Sequence, residues 1–124
     1  MEYISTDKAP QAIGPYSQAV KVGEMIFTSG QIALTPEGKF LEGGIEEQTV
    51  QVLTNLKNVL EEAGSSLDKV VKTTIFLAHM SDFEAVNEIY ENFFKNHKPA
   101  RSTVSVKTLP KNALIEIEAI ALVK

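Results

Sequence analysis

Apolar and polar positions change period several times along the chain, and each change marks an element. The clearest run is Ala113 to Val123, ALIEIEAIALV, apolar except at Glu116 and Glu118. Side chains alternate across a strand, so Ile115, Ile117, Ala119, Ala121 and Val123 share one wholly apolar face. Leu114, Glu116, Glu118, Ile120 and Leu122 share the other. Arg101 to Lys107 is a shorter, β-branched, alternating run, and Lys111-Asn112 reads as the turn between the two.

Upstream, Tyr3-Ile4 reads as a short first strand, followed by an irregular loop through Pro10, Gly14 and Pro15. Ser17–Val22 and Met25–Gln31 are extended runs joined by Gly23-Glu24, a link with Gly first that suits a type II′ hairpin. Gly30, inside the second run, signals a bulge or a close backbone approach. A Gly-rich and Pro-containing loop spans Thr35–Gly44. Helical spacing of Val52, Leu53, Leu56, Val59, Leu60 and Ala63 predicts a helix over Ile45–Ala63, stopped by Gly64. Asp68–Ala78 reads as a strand with Val71, Thr73, Ile75 and Leu77 on one face. A second helix starts at Ser81, where Ser81 and Glu84 form a capping-box pattern, and its stripe is Phe83, Val86, Tyr90 and Phe93. It ends before Pro99.

The order β-β-β-α-β-α-β-β predicts one α+β domain over residues 1–124, a mixed sheet of about six strands with both helices on one face. The other face keeps Leu114, Ile120 and Leu122. An apolar sheet surface of that kind calls for association. The expectation is a homo-oligomer with sites near its subunit boundaries.

Composition narrows the function classes. With 124 residues there is room for one real core. Cysteine is absent, which excludes disulfides, thiolate metal sites and a Cys nucleophile. No apolar stretch approaches a membrane span, and no leader-like N-terminus is apparent, so a cytoplasmic protein is expected. A net charge of -4 with scattered lysines argues against a nucleic-acid surface. His79 and His97 have no partner motif and make no metal site, and no glycine-rich phosphate loop is present.

The remaining chemistry centres on the last two strands. Pro99 holds Lys98 extended and fixes the approach to Arg101, whose planar fork suits a carboxylate. A surface Arg at a strand start fits the same residues. Glu116, among aliphatics, is a candidate general base or water-positioning group with a raised pKa, or one half of an intersubunit ion pair. Glu118 shares its face, and periodicity does not choose between them. Arg101 is the obvious partner for either glutamate. Tyr16 stands at a pocket rim or packs its loop; Ser29 and Gly30 face a ligand or end a strand. Asn87, one position off the helix stripe, is a surface polar residue or a pocket donor.

Taken together, Gly14-Pro15-Tyr16-Ser17-Gln18-Ala19, Phe27-Thr28-Ser29-Gly30-Gln31, Pro99-Ala100-Arg101-Ser102 and Ile115-Glu116-Ile117-Glu118-Ala119 resemble the RidA (YjgF, YabJ) family of reactive-intermediate deaminases. The resemblance covers nearly the whole chain. It implies a chorismate-mutase-like fold, a homotrimer with clefts between subunits, and no metal or organic cofactor. The implied activity is hydrolysis of 2-imino acids, the enamine/imine products of amino-acid dehydratases, to 2-oxo acids and ammonia. By the same resemblance Arg101 binds the carboxylate, Glu116 rather than Glu118 orients water, and Tyr16, Ser29, Gly30 and Asn87 line the pocket. Thr103 stands where the family often has Cys, at a position whose backbone N–H meets the ligand. The competing implications are a small-carboxylate-binding regulator with a protein partner such as a transcription factor, and an RNA-cleaving translation inhibitor, against which the acidic balance counts.

Overall fold

A computed structural model describes all 124 residues. The strands are β1 (Glu2–Ile4), β2 (Ala19–Val22), β3 (Met25–Thr28), β4 (Val70–Leu77), β5 (Ala100–Ser105) and β6 (Ile115–Leu122); the helices are α1 (Ile45–Glu62) and α2 (Phe83–Phe94). One six-stranded sheet runs β1-β2-β3-β6-β4-β5. Only β4 and β5 pair in parallel, with α2 as their crossover; the other pairs are antiparallel.

The alternation on β6 decides the layering. Ile115, Ile117, Ala119 and Ala121 are buried, whereas Glu118 and Leu122 are exposed. Val52, Leu53, Leu56, Val59 and Leu60 of α1 join Val86, Tyr90 and Phe94 of α2 in that same core. Both helices therefore cover one face, as the pattern predicts. On the open face the register aligns Tyr3, Val20, Phe27 and Ile120 across β1, β2, β3 and β6. Of these, Tyr3 and Phe27 are exposed, an uncovered apolar ladder.

Helix α1 begins at Gly44, whose N–H donates to Glu47 Oε1 (3.0 Å), satisfying one donor the helix start leaves free. Its polar buried side chains hold the loop before it and the entry to β6 in place. Asn55 Nδ2 donates to the Ile32 and Leu34 carbonyls, and Gln48 Oε1 accepts from Leu114 N–H. Gly64, at φ +85, ends the helix where expected. In the β2–β3 hairpin, Gly23 has φ +59 and Glu24 has no positive φ, which fits the predicted type II′ turn. Lys111 and Asn112 both take left-handed φ at the predicted turn before β6.

Three local expectations are corrected. Residues Met80–Asp82 form a short 3-10 turn, so α2 starts at Phe83 with Asp82 at its N-cap, and the Ser81/Glu84 capping box does not form. The register of β4 on β6 slips between Val70 and Lys72, so Val70 is buried and Val71 exposed, the reverse of strict alternation. At the far end of α2, Phe94 is buried and Phe93 only packs against the core.

Candidate active site

The predicted site residues fall into two clefts. The first is built by the end of β3. Phe27 pairs with Ile120, but the next bridge is Gln31 with Ile117, so Thr28, Ser29 and Gly30 oppose only Ala119 and Glu118. That is a bulge, and it explains why β3 stops at Thr28 rather than at Gln31. Its polar groups are satisfied locally: Thr28 Oγ1 accepts from Ala119 N–H (2.9 Å), Ser29 N–H donates to the Gln18 carbonyl (2.9 Å), and Ser29 Oγ donates to the Ser17 carbonyl (2.6 Å). The bulge carries Gly30 against Glu116. A Cβ built on Gly30 would lie 2.8 Å from Glu116 Cδ and 3.0 Å from Cγ, and nearer still to Oε2. Only glycine leaves the carboxylate where it is.

Glu116, Gly30, Ser29, Tyr16 and Gln18 line this cleft of about 340 Å³, with Ile32 and Leu34 on its apolar side. Glu116 is half-buried and makes no hydrogen bond or ion pair within the chain. Burial raises its pKa, and the neighbouring Glu118 charge raises it further. Glu118 itself is exposed and outside the cleft. Gln18 pins the rim: its Oε1 accepts from Thr6 N–H (2.7 Å) and its Nε2 donates to the carbonyls of Thr6 (3.1 Å) and Pro10 (2.8 Å). Tyr16 stands largely exposed at the mouth, its hydroxyl accepting from Ile13 N–H at 3.4 Å.

The second cleft, about 500 Å³, holds Arg101 and Asn87, with Tyr90, Phe94, Lys95 and His97 around them. The guanidinium carbon of Arg101 lies 5.0 Å from the Tyr90 ring centroid and 5.5 Å from that of Phe83. Neither ion pair in the chain involves Arg101; they join Lys21 to Glu2 and Lys57 to Glu61. Its donors are therefore free for an external anion. His97 Nε2 is engaged with the Val70 carbonyl at 2.7 Å. Thr103 sits two residues beyond Arg101 on the same side of β5, and its buried Oγ1 has no hydrogen-bond partner.

One copy of the chain does not bring Arg101 and Glu116 together. Thr73 pairs with Arg101 on one side and Ala119 on the other; Phe76 pairs with Val104 and Glu116. Thr73 and Phe76 are three residues apart on β4, so their rows face opposite sides of the sheet. The expectation that Arg101 shares a site with the glutamates is not met within a single copy: it lies on the helix-covered side. Sequence reasoning missed the rings beneath Arg101, because Phe83 and Tyr90 lie on an apolar stripe that reads as ordinary core. It also missed Gln18 as the residue that shapes the rim, although its motif was visible.

The clefts of this small α+β protein thus hold an unpaired guanidinium in one and an unpaired, half-buried carboxylate in the other. The family model described as Endoribonuclease L-PSP matches residues 6–123. The chain belongs to that family, that of the RidA and YjgF proteins. A human protein named 2-iminobutanoate/2-iminopropanoate deaminase is 51% identical over 120 residues, 96% of this chain and 88% of that one. The chloroplastic Reactive Intermediate Deaminase A of Arabidopsis thaliana is 53% identical over 97% of this chain and 65% of its own length. The crystal structure of the YjgF gene product of E. coli matches with a TM-score of 0.94 at 46% identity, covering 100% of both chains.

Proposed function

We propose that this protein hydrolyses reactive 2-imino acids, the enamine and imine products of amino-acid dehydratases, to 2-oxo acids and ammonia. The Arg101 cleft of one copy and the Glu116 cleft of another would close on the same substrate in a cytoplasmic homotrimer. The observation that carries this reading is the pair of unpartnered charges of opposite sign. Arg101 offers a bidentate fork to the substrate carboxylate, and Glu116 offers a base whose pKa is raised toward neutrality. The chain's likeness to relatives named as imine deaminases supports the substrate class. The uncovered apolar ladder on the open face supports the assembly.

The chemistry balances with these groups. Water adds to the imine carbon while Glu116 accepts one of its protons. The same carboxyl delivers that proton to nitrogen, giving a neutral carbinolamine; it then takes the hydroxyl proton and passes it to nitrogen as the C–N bond breaks, so ammonia leaves and the carbonyl forms. Arg101 fixes the carboxylate so that the imine carbon meets the water held at Glu116. Ser29, Gly30, Tyr16, Asn87 and Thr103 complete the walls.

The family description names an endoribonuclease, but the residues favour the deaminase. No histidine lines the Glu116 cleft, and His97 beside Arg101 is tied to a backbone carbonyl. The net charge of -4 opposes a polyanion. The test is an imine generated in situ by an amino-acid dehydratase. Purified protein should accelerate appearance of the 2-oxo acid. Unchanged decay alongside 2-oxo acid binding would turn the reading toward a carboxylate-binding regulator.

A further inference from the structure

We propose that Tyr90, with Phe83 beside it, is a positioning residue that fixes the Arg101 guanidinium for the substrate carboxylate. The inference rests on the carboxylate-anchor reading of Arg101 and goes beyond it to what holds the anchor. An arginine side chain left to itself has many rotamers, and ordering it costs affinity when a ligand binds. A carboxylate neighbour would order it, but would also occupy its donors. Aromatic faces do neither harm: they attract the cation through the ring face and leave the N–H edges free. The structure has that arrangement. Phe83 and Tyr90 are seven residues apart, on one stripe of α2, and the guanidinium carbon lies 5.5 and 5.0 Å from their centroids.

Tyr90 is itself held from two sides. Its ring stacks on Phe94, with centroids 4.4 Å apart and planes 27° apart. Its hydroxyl bonds Thr73 Oγ1 at 2.8 Å, and Thr73 is fully buried. Thr73 is also the β4 register partner of Arg101. Backbone pairing, hydroxyl bond and ring contact thus close a loop from Arg101 through Thr73 and Tyr90 back to Arg101. The hydroxyl points into the sheet and the ring forms the floor of the cleft, so Tyr90 acts on the substrate through Arg101.

Calorimetric titration of 2-oxobutanoate into the wild type, Tyr90→Leu, Tyr90→Phe, Phe83→Leu, Arg101→Ala and the Tyr90→Leu/Arg101→Ala double variant tests this. Tyr90→Leu should weaken binding about twofold to thirtyfold, the range of a cation–π contact, and lower kcat/KM in proportion. Tyr90→Phe keeps the ring and should restore most of the loss. In the Arg101→Ala background, the Leu substitution should add nothing further. An equal loss in that background, or wild-type binding by Tyr90→Leu, overturns the proposal. Where Tyr90→Leu does not fold, Phe83→Leu carries the same comparison without disturbing Thr73. Wild-type affinity in Arg101→Ala would instead overturn the anchor reading itself, a result distinct from failure of the Tyr90 contact alone.

Discussion

Gly30→Ala should silence the enzyme while leaving the fold intact. The φ of Gly30 is not in the left-handed region, so an alanine there meets no backbone strain. The obstacle is the Glu116 side chain, with Cδ 2.8 Å and Cγ 3.0 Å from the new Cβ. To reach ordinary van der Waals contact the carboxylate must retreat on the order of 1 Å, and a misplacement of that size costs about 10²-fold in rate. Full loss of a general base costs about 10²–10⁴-fold, which sets the outer bound. The displaced atoms are the end of a flexible side chain, so thermal unfolding should move little. Initial rates on imine made in situ, with a melting curve for each variant, give both quantities. Adding Glu116→Gln to Gly30→Ala should cause little further loss, because the two act on one carboxylate. Wild-type turnover by a folded Gly30→Ala would refute the role given to Glu116.

The raised pKa of Glu116 has a definite sign. The folded state binds its proton more tightly than the unfolded state, so stability falls as pH rises from the ordinary value of 4.5 through the raised one. Glu116→Gln should therefore melt higher than wild type at neutral pH and equally below that window, as read by unfolding at two pH values. Removing the second cause with Glu118→Gln should shift the acid limb of the kcat/KM profile to lower pH. Arg101→Ala should weaken 2-oxo acid binding about tenfold to a hundredfold, and Arg101→Lys should fall between it and wild type. Lys95, with φ 58 and ψ -120 at the end of α2, occupies backbone space that favours glycine. Lys95→Gly should stabilise the fold by about 1 kcal/mol, measured by denaturant unfolding.

Much of the fold is legible in the chain because burial writes alternation directly into sequence. The two faces of β6 and the stripe of α1 are read without error in kind. What alternation does not carry is a change of count. The slip after Val70 exchanges the roles of Val70 and Val71, and the extra residue at Ser29-Gly30 ends β3 early. The glycine was a sign of the second event, whereas nothing marks the first. Ser81 failed as a cap because a 3-10 turn formed ahead of the helix, a choice of local geometry that the capping pattern does not determine. Periodicity placed Glu116 and Glu118 on the same face and could not rank them. Their surroundings differ in the fold, where Gly30 lies against Glu116 and Glu118 is exposed. That Arg101 faces away from both depends on the parallel register of β5 on β4, a long-range pairing that spacing along the chain does not reveal.

The central claim, that one substrate is held by Arg101 of one copy and processed by Glu116 of another, is tested most directly by complementation. Arg101→Ala and Glu116→Gln proteins, each inactive alone, are mixed in equal amounts, dissociated and reassembled, and assayed on in-situ imine. In a closed ring of head-to-tail contacts, about one quarter of the clefts then combine an intact Arg101 with an intact Glu116. The expected result is recovery of about one quarter of wild-type activity, in particles of three times 13.6 kDa by light scattering. Verified subunit exchange with no recovered activity would contradict it.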